Sequence, residues 1–163
     1  MRLLLELFCE EIPARLQKQA TQNLKMDAID ALKKVSLGFD EIETYATPRR
    51  LALMVDGLPE RQRDIKEEKR GPKISAPKKA LDGFLRSNKL KLEQCVKKPF
   101  GKEEFWFATI SRSGRPAEEV LTAILLDIIC NFSWPKSMRW GEGRFRWVRP
   151  LKRVLCVLDG KPL

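Results

Sequence analysis

The strongest structural signal in the chain is the stretch PAEEVLTAILLDIICNF, residues Pro116–Phe132. Its apolar side chains recur at spacings of three and four residues, which is the pattern of an α-helix with one buried face. These positions are Ala117, Val120, Leu121, Ile124, Leu125, Ile128, Ile129 and Phe132. Asp127 interrupts the apolar run, which is also too short to cross a bilayer. The stretch therefore predicts a core helix that begins at Pro116.

A second long helix is predicted upstream, after a buried strand over residues 3–8. Pro13 suits the first turn of this helix, and Glu10 and Glu11 are favourable near its positive end. An apolar stripe then follows one helical face, and Gly38 provides a natural end. The stripe consists of Leu16, Ala20, Leu24, Ala28, Leu32 and Val35.

Compact apolar runs predict further strands at residues 42–46, 51–55, 103–111 and 153–158. The third of these is expected to pair with residues 95–98 through Phe100-Gly101-Lys102. A short helix is predicted with Ser75 as its cap, Pro77 in its first turn, and a buried face of Ala80, Leu81, Phe84 and Leu85. The predicted fold class is therefore α+β, with two long amphipathic helices packed on a mixed or antiparallel sheet.

Length and composition indicate a folded protein of one domain or two small lobes. The chain has 163 residues, of which 43% are hydrophobic and 33% are charged. Residues 59–79 are rich in charge and contain Gly71-Pro72 and Ala76-Pro77, which indicates an exposed connection with an edge strand near Ile65. We expect residues 1–163 to form a single α+β region, with a lobe boundary allowed within residues 59–79.

The last residues predict a continuation of the polypeptide. Asp159-Gly160 is a hairpin signal, but only three residues follow it, so no returning strand is expected. A strand without a neighbour leaves an unpaired edge. We therefore expect this chain to be a piece of something longer.

The absence of histidine excludes several kinds of active site, and the positive net charge favours a polyanionic partner. Thirty-two basic and 22 acidic residues give a net charge of +10, and histidine is absent. Without histidine there is no Ser-His-Asp or Cys-His nucleophile and no histidine-ligated metal. The net charge is −2 over residues 1–60, +8 over 61–103 and +4 over 104–163. A nucleic acid fits this distribution, and so does a solvated lysine-rich surface.

The cysteines indicate a reduced, cytoplasmic protein. None of the four has CxxC or metal-knuckle spacing, so no metal site is predicted. Cys9, Cys130 and Cys156 lie in apolar stretches and are expected in the core. The apolar amino terminus is short and soon followed by glutamates, which does not match a secretory signal. We expect no membrane association.

Two stretches carry candidate binding residues. In Thr47-Pro48-Arg49-Arg50-Leu51, the proline fixes the backbone and the two guanidinium groups suit phosphate oxygens. The alternative is that Arg49 and Arg50 pair with Glu41 or Glu43 in a purely structural turn.

The second stretch, Trp134–Arg153, holds seven basic residues and a single acidic one, Glu142. Three tryptophans and a phenylalanine lie among these charges. Cations neutralise phosphates and flat rings stack on unpaired bases, so the pattern favours RNA. The alternative is that the tryptophans anchor a loop in the core while the arginines stay in water. The sequence contains neither a P-loop nor a dinucleotide glycine fingerprint, and it predicts no self-contained active site.

Several motifs, in order along nearly the whole chain, resemble the β subunit of bacterial glycine–tRNA ligase at its amino-terminal portion. They are Leu4-Leu5-Glu6-Leu7-Phe8, Glu10-Glu11-Ile12-Pro13-Ala14, Thr47-Pro48-Arg49-Arg50-Leu51, Lys69-Arg70-Gly71-Pro72, Ala80-Leu81-Asp82-Gly83-Phe84, Pro135-Lys136-Ser137-Met138-Arg139-Trp140-Gly141 with Phe145, and Val148-Arg149-Pro150. The stretch PKSMRWG is the most specific. Mild departures occur at Cys9, at Lys69-Arg70 and at Arg146-Trp147.

The resemblance implies a ligase made of two α and two β subunits that joins glycine to tRNA at the expense of ATP. In this family the α subunit holds the class II adenylation site, which uses ATP with Mg²⁺. The β subunit binds tRNA, carries a carboxy-terminal anticodon-binding domain and is several times longer than this chain. The resemblance assigns no catalytic residue and no cofactor to these positions.

Two functions follow as hypotheses. In the first, this region is a scaffold that contacts tRNA, with Arg49, Arg50, Lys136, Arg139, Arg144, Arg146 and Arg149 as phosphate contacts and Trp140 or Trp147 as stacking groups. In the second, it docks the α subunit or the remainder of the β subunit without touching RNA. Pro135, Met138, Gly141 and Pro150 are interpreted as structural.

Overall fold

The computed structural model describes residues 1–88, 90–100, 103–140 and 142–163. Within them the helices are α1 (Ala14–Lys34), α2 (Lys78–Asn88) and α3 (Ala117–Asn131). The strands are β1 (Leu3–Cys9), β2 (Glu41–Thr47), β3 (Arg50–Asp56), β4 (Ile65–Lys73), β5 (Cys95–Phe100), β6 (Glu103–Arg112), β7 (Met138–Arg139), β8 (Arg146–Trp147), β9 (Leu151–Leu158) and β10 (Lys161–Pro162). The chain divides into two compact units, unit 1 (residues 1–63 with 115–163) and unit 2 (residues 64–114).

The main sheet of unit 1 has the strand order β10-β9-β1-β3-β2, and each neighbouring pair is antiparallel. Strand β1 lies between β9 and β3, and its residues alternate between buried and half-buried. Leu3, Leu5 and Leu7 are each 1% exposed. Successive side chains of a strand point to opposite faces, so this apolar run buries only every second side chain.

Helices α1 and α3 pack on one face of this sheet. Leu24 and Leu32 of α1 and Leu121 of α3 belong to the same hydrophobic core as Leu5 and Leu53. Burial of each such side chain stabilises the fold by roughly 1.5–3 kcal/mol. The predicted α+β architecture, two long helices on an antiparallel sheet, is confirmed.

Each long helix begins one residue later than predicted, because a proline occupies its N-cap position. Pro13 and Pro116 have ψ values of 131° and 138°, which are extended rather than helical. The proline ring fixes φ at −54° in both cases, a value that suits the entry to a helix.

The carboxyl end of α1 is formed by Ser36, so the predicted stop at Gly38 is wrong. Ser36 has a φ of 55°, and its N–H donates to Lys33 O at 3.0 Å. The N–H of Leu37 donates to Leu32 O, also at 3.0 Å. Together these bonds form a Schellman motif, which satisfies two carbonyls at the helix end. The motif uses a serine in the left-handed region, where glycine is more usual.

Unit 2 contains an antiparallel sheet with the strand order β4-β6-β5. The predicted pairing of residues 95–98 with residues 103–111 is confirmed. The connection expected at Gly101-Lys102 lies outside the described residues. Strand β4 is the edge strand expected near Ile65, and it is nine residues long.

Helix α2 of unit 2 begins at Lys78, directly after Pro77, so the cap predicted at Ser75 is wrong. The predicted buried face is partly confirmed. Leu81, Phe84 and Leu85 are half-buried, whereas Ala80 lies in the first helical turn and is exposed.

The carboxy-terminal hairpin of unit 1 has a short returning strand, which the sequence did not predict. Asp159 and Gly160 form the turn with φ values of 47° and 79°. Strand β10 then pairs with Val157 and Leu158 of β9. Among the described residues, positions 151–155 of β9 have no partner strand on that side.

All four cysteines are free thiols, and their burial differs from the prediction at one position. Cys9 is buried and Cys156 is partly buried, as expected for core residues. Cys130 is exposed, because it lies on the outer side of α3. Its apolar neighbours in sequence belong to a different face of the same helix.

Candidate nucleic-acid interface

Three segments that are far apart in sequence meet at one end of strands β1, β3 and β9 of the unit 1 sheet. We call this place the motif junction, formed by residues 9–14, 47–50 and 148–150. Backbone hydrogen bonds join them: Cys9 N–H donates to Arg49 O (3.0 Å), Glu10 N–H to Pro150 O (3.1 Å) and Ile12 N–H to Pro48 O (2.6 Å). The bonds fix the spacing between the segments, so side chains from all three project around one point.

An open surface cavity of about 640 Å³ lies at the motif junction. Its charged lining consists of Glu10, Glu11 and Arg149, and Pro13 and Pro48 supply rigid walls. Two carboxylates beside one guanidinium do not form a site for a bare phosphate, because the carboxylates repel it. Arg149 is the one cation in the described lining, so an anion at this cavity would contact Arg149 at a distance from the two carboxylates.

Arg49 and Arg50 are both paired with carboxylates on the protein. Arg49 donates to Glu11 at 3.1 Å, and Arg50 donates to Glu6 at 3.1 Å while lying over the Phe8 ring at 4.3 Å. The sequence predicted pairing with Glu41 or Glu43 as the structural alternative, and the actual partners lie on and just after β1. The exposed Arg49–Glu11 pair contributes only about 0–1 kcal/mol, so phosphate can displace Glu11. The Glu6 side chain is only 16% exposed, so the Arg50–Glu6 pair is less readily exchanged.

A third ion pair lies at the same junction. Lys152 of β9 contacts Glu10. The hydrogen bond from Lys152, together with its charge, lowers the pKa of Glu10. The carboxylate therefore stays ionised and keeps Lys152 occupied, so we do not count Lys152 among the free cations.

The aromatic residues between positions 132 and 147 form a packed cluster. Ring centroids of Phe132, Trp134 and Trp147 lie 4.9–5.2 Å apart. Phe145 stacks on Trp147 at 5.8 Å, with an interplanar angle of 16°. Trp147 is 0% exposed, so the expectation that it stacks on a base is corrected: its faces are already covered by protein. Trp140 is 45% exposed and keeps a free ring.

The cations of the same segment lie outside this cluster. Strands β7 and β8 form a two-residue ribbon in which Arg139 lies directly opposite Arg146. Arg146 also donates to the hydroxyl and the carbonyl of Ser137, at 3.1 and 3.0 Å. We define the basic ribbon as Lys136, Arg139, Arg144 and Arg146. Within the described part of the chain, neither these four residues nor Arg149 forms an ion pair.

The whole chain matches one protein family. The family model described as Glycyl-tRNA synthetase beta subunit covers residues 3–163. The chain belongs to this family.

Curated relatives in the family are named glycine–tRNA ligase beta subunit. The relative from Ruegeria sp. (strain TM1040) is 47% identical over 156 residues, which is 96% of this chain and 23% of the relative. That from Paracoccus denitrificans is 46% identical over 157 residues, with 96% and 23% covered. That from Rhodospirillum centenum is 44% identical over 160 residues, with 98% and 22% covered. The chain therefore spans less than a quarter of the length of these relatives.

The resemblance to the glycyl-tRNA synthetase β-subunit family seen in the sequence is thus confirmed. Most of its motifs fall in two places of unit 1, the motif junction and the segment 135–140 with the basic ribbon, and two lie in unit 2, on β4 and α2. Gly141, which the sequence analysis interpreted as structural, lies outside the described residues. Of the helices described, none is long and apolar enough to cross a membrane.

Sequence reasoning missed the residues that complete these two places. Glu6 and Glu11 were quoted within motifs, but nothing in their spacing linked them to Arg50 and Arg49. Phe132 was assigned to the end of a core helix without its contact to the tryptophans. The only signal in the sequence was that Phe132 lies two residues before Trp134, and this spacing fits many other arrangements.

Proposed function

We propose that this chain is the amino-terminal part of the β subunit of a cytoplasmic, heterotetrameric glycine–tRNA ligase, and that it contacts tRNA without forming an adenylation site. In this proposal the α subunit uses ATP with Mg²⁺, and the chain works with the α subunit and the remainder of the β subunit. The observation that carries the tRNA contact is the basic ribbon, whose arginines face each other without a carboxylate.

The physical reason is the electrostatic repulsion between Arg139 and Arg146, which lie opposite each other. Like charges directly opposite on paired strands destabilise the pair. A phosphate that binds Arg139 and Arg146 together removes this repulsion and accepts charge-assisted hydrogen bonds from both. The exposed ring of Trp140 follows Arg139 directly, where an unpaired base beside that phosphate would stack. Arg49 contributes through exchange of its exposed ion pair with Glu11, and Arg50 through the exposed part of its side chain beside Glu6.

Replacing Arg139 and Arg149 by alanine is expected to weaken tRNA binding to the chain. Each lost phosphate contact lowers the slope of log K against log salt by about one unit, so the double variant should lose about 1–2 units. The measurement is a titration of labelled tRNA at several salt concentrations. The matched control is Lys18→Ala with Lys25→Ala on α1, which removes the same charge from another surface. If both double variants reduce the slope equally, binding reflects only the net positive charge of the chain, and the specific contact of Arg139 and Arg149 is contradicted.

A second function, docking of a protein partner, is supported by a different place in unit 1. Leu126, Val154 and Leu155 are 57%, 50% and 43% exposed. Leu126 and Val154 line an apolar slot between α3 and β9, next to the open edge of β9. A free edge beside apolar side chains suits an added strand from another polypeptide segment.

The docking function predicts a salt-resistant complex. The double variant Leu126→Lys with Val154→Lys should raise the Kd for the α subunit, or for the remainder of the β subunit, by at least tenfold. The reason is that it places charge in an apolar contact. Gel filtration of the mixed proteins at two salt concentrations measures this. The control is Met26→Lys, a residue 56% exposed on α1. Undisturbed migration of the double variant with both partners would contradict docking at the slot.

A further inference from the structure

The three-stranded sheet of unit 2 has one face occupied by α2. Lys69 of β4 donates to the Asn88 side chain of α2 at 3.4 Å. The ring of Phe84 lies so close to Gly71 that a Cβ there would be 2.9 Å from it. Ala108, opposite Lys69 in the register, is 0% exposed. The helix therefore covers this face around β4 and Ala108, whereas Lys97 and Trp106 on the same face form a cation–π contact at 5.2 Å.

The opposite face of the same sheet carries phenylalanines on adjacent strands. Phe105 and Phe107 lie two residues apart on the central strand β6, so they point to the same side. Phe107 is directly opposite Val96, and Phe100 is paired with Glu103 on that same side. Val96 and Phe100 are each 56% exposed. We call this surface the aromatic face, formed by Val96, Phe100, Phe105 and Phe107.

Cations lie directly on these rings. The guanidinium of Arg70 is 4.7 Å from the Phe100 centroid and 5.2 Å from that of Phe105. The ammonium of Lys98 is 5.9 Å from the Phe107 centroid. Arg70 is exposed and forms no ion pair with the described residues, so its guanidinium is available to an anion. A cation held over an exposed ring marks where a phosphate and a base can be bound side by side.

The acidic residues beside this face do not close it. Lys98 contacts Glu68, and Lys73 contacts Glu103 at 2.6 Å. The four side chains are each about half exposed, between 45% and 53%, and exposed pairs are readily exchanged for phosphate. Unit 2 as a whole has 13 basic and 7 acidic residues, a net charge of +6 from 51 residues.

We propose that the aromatic face binds an unpaired segment of RNA, with a base stacked on the exposed ring of Phe100 beside Phe105 and a phosphate that draws Arg70 off the two rings. The proposal rests on the tRNA contact proposed above, and it adds a second binding surface that is separate from the basic ribbon. A duplex hides its bases, whereas flat rings on an open sheet suit bases that are free to stack. A protein partner is disfavoured by the net positive charge of unit 2.

The test compares the chain with a variant carrying Phe100→Leu and Phe105→Leu, which keeps apolar volume but removes both flat rings. The probes are a fluorescent twelve-nucleotide oligouridylate and a twelve-base-pair RNA duplex. The Kd for the single strand should rise by roughly five- to tenfold or more, and the Kd for the duplex should stay within about twofold. The matched control is Tyr45→Leu, an aromatic residue 51% exposed in unit 1, which should change neither.

Arg70→Gln, at an exposed position, provides a variant with little risk to folding. It should raise the single-strand Kd about two- to fivefold and reduce the salt slope by about one unit. An unchanged Kd for both variants overturns the proposal. So does a variant that binds RNA normally but no longer binds the α subunit, since the face would then be a protein interface.

The two proposals fail in different ways. If Arg139→Ala with Arg149→Ala weakens tRNA binding while the ring variant binds oligouridylate normally, only the aromatic face is refuted. If the chain binds oligouridylate through its rings but the Arg139 and Arg149 variant binds tRNA normally, only the tRNA contact proposed for Arg139 and Arg149 is refuted. A chain that binds neither RNA refutes both.

Discussion

Replacement of Trp147 by alanine is expected to lower the free energy of unfolding by about 3–5 kcal/mol. Trp147 is fully buried and contacts three other aromatic residues, Phe132, Trp134 and Phe145. Truncation removes its apolar surface and leaves a cavity between β8 and the end of α3. For a domain that is stable by about 5–15 kcal/mol, this is a large fraction of the total. Urea denaturation followed by circular dichroism measures the change.

Trp140→Ala is the matched control for this prediction. Trp140 is 45% exposed, so its loss should change the free energy of unfolding by no more than about 0.5–1 kcal/mol. Trp147→Phe should retain more stability than Trp147→Ala. It keeps an aromatic ring and removes a buried indole N–H whose neighbouring polar group is the Cys9 thiol, a weak acceptor. Equal losses for the two alanine variants would show that Trp147 is not a core residue.

Cys9 is expected to react with a thiol reagent at least about a thousandfold more slowly than Cys130. Cys9 is 4% exposed, and burial raises the pKa of its thiol, so less of the reactive thiolate is present at any given pH. Reaction requires local opening, and an opening cost of about 4 kcal/mol corresponds to this factor. Cys130 is exposed and needs no opening. The time course with Ellman's reagent at pH 8 measures both phases.

Cys130→Ser should remove the fast phase and leave the slow one unchanged. Burial also raises the pKa values of Cys95 and Cys156, and their partial exposure places them between the two extremes. Trp147→Ala should accelerate Cys9, because the indole lies beside that thiol. A Cys9 that reacts as fast as Cys130 in the unaltered chain would contradict the burial of β1.

The elements of the fold that the sequence predicted are those with a strong local pattern. Helix α3 was evident from the spacing of its apolar residues, and β1 from a compact apolar run. Their ends were less evident, because a cap depends on backbone angles such as the ψ of Pro116 or the left-handed φ of Ser36. The sequence pattern does not encode those angles directly.

The candidate site was predicted by residue type but not by arrangement. Arg49 and Arg50 were identified as surface cations, yet their partners Glu11 and Glu6 come from a strand that pairs with β3 only in the folded chain. Trp140 and Trp147 both lie beside arginines in the sequence, yet Trp140 is exposed and Trp147 is buried. The aromatic face escaped notice because Phe105 and Phe107 matched a strand pattern that gives no indication of which side is covered.

By itself the sequence determined the family, the α+β class, the two long helices and the basic character of residues 61–103. These properties follow from residue types and short-range periodicity, which the chain carries before it folds. Only the tertiary structure decided which cations keep a free charge, which tryptophan enters the core and which face of the unit 2 sheet stays open. Burial and ion pairing depend on contacts between residues distant along the chain, and those contacts exist only after the strands have paired and the helices have packed.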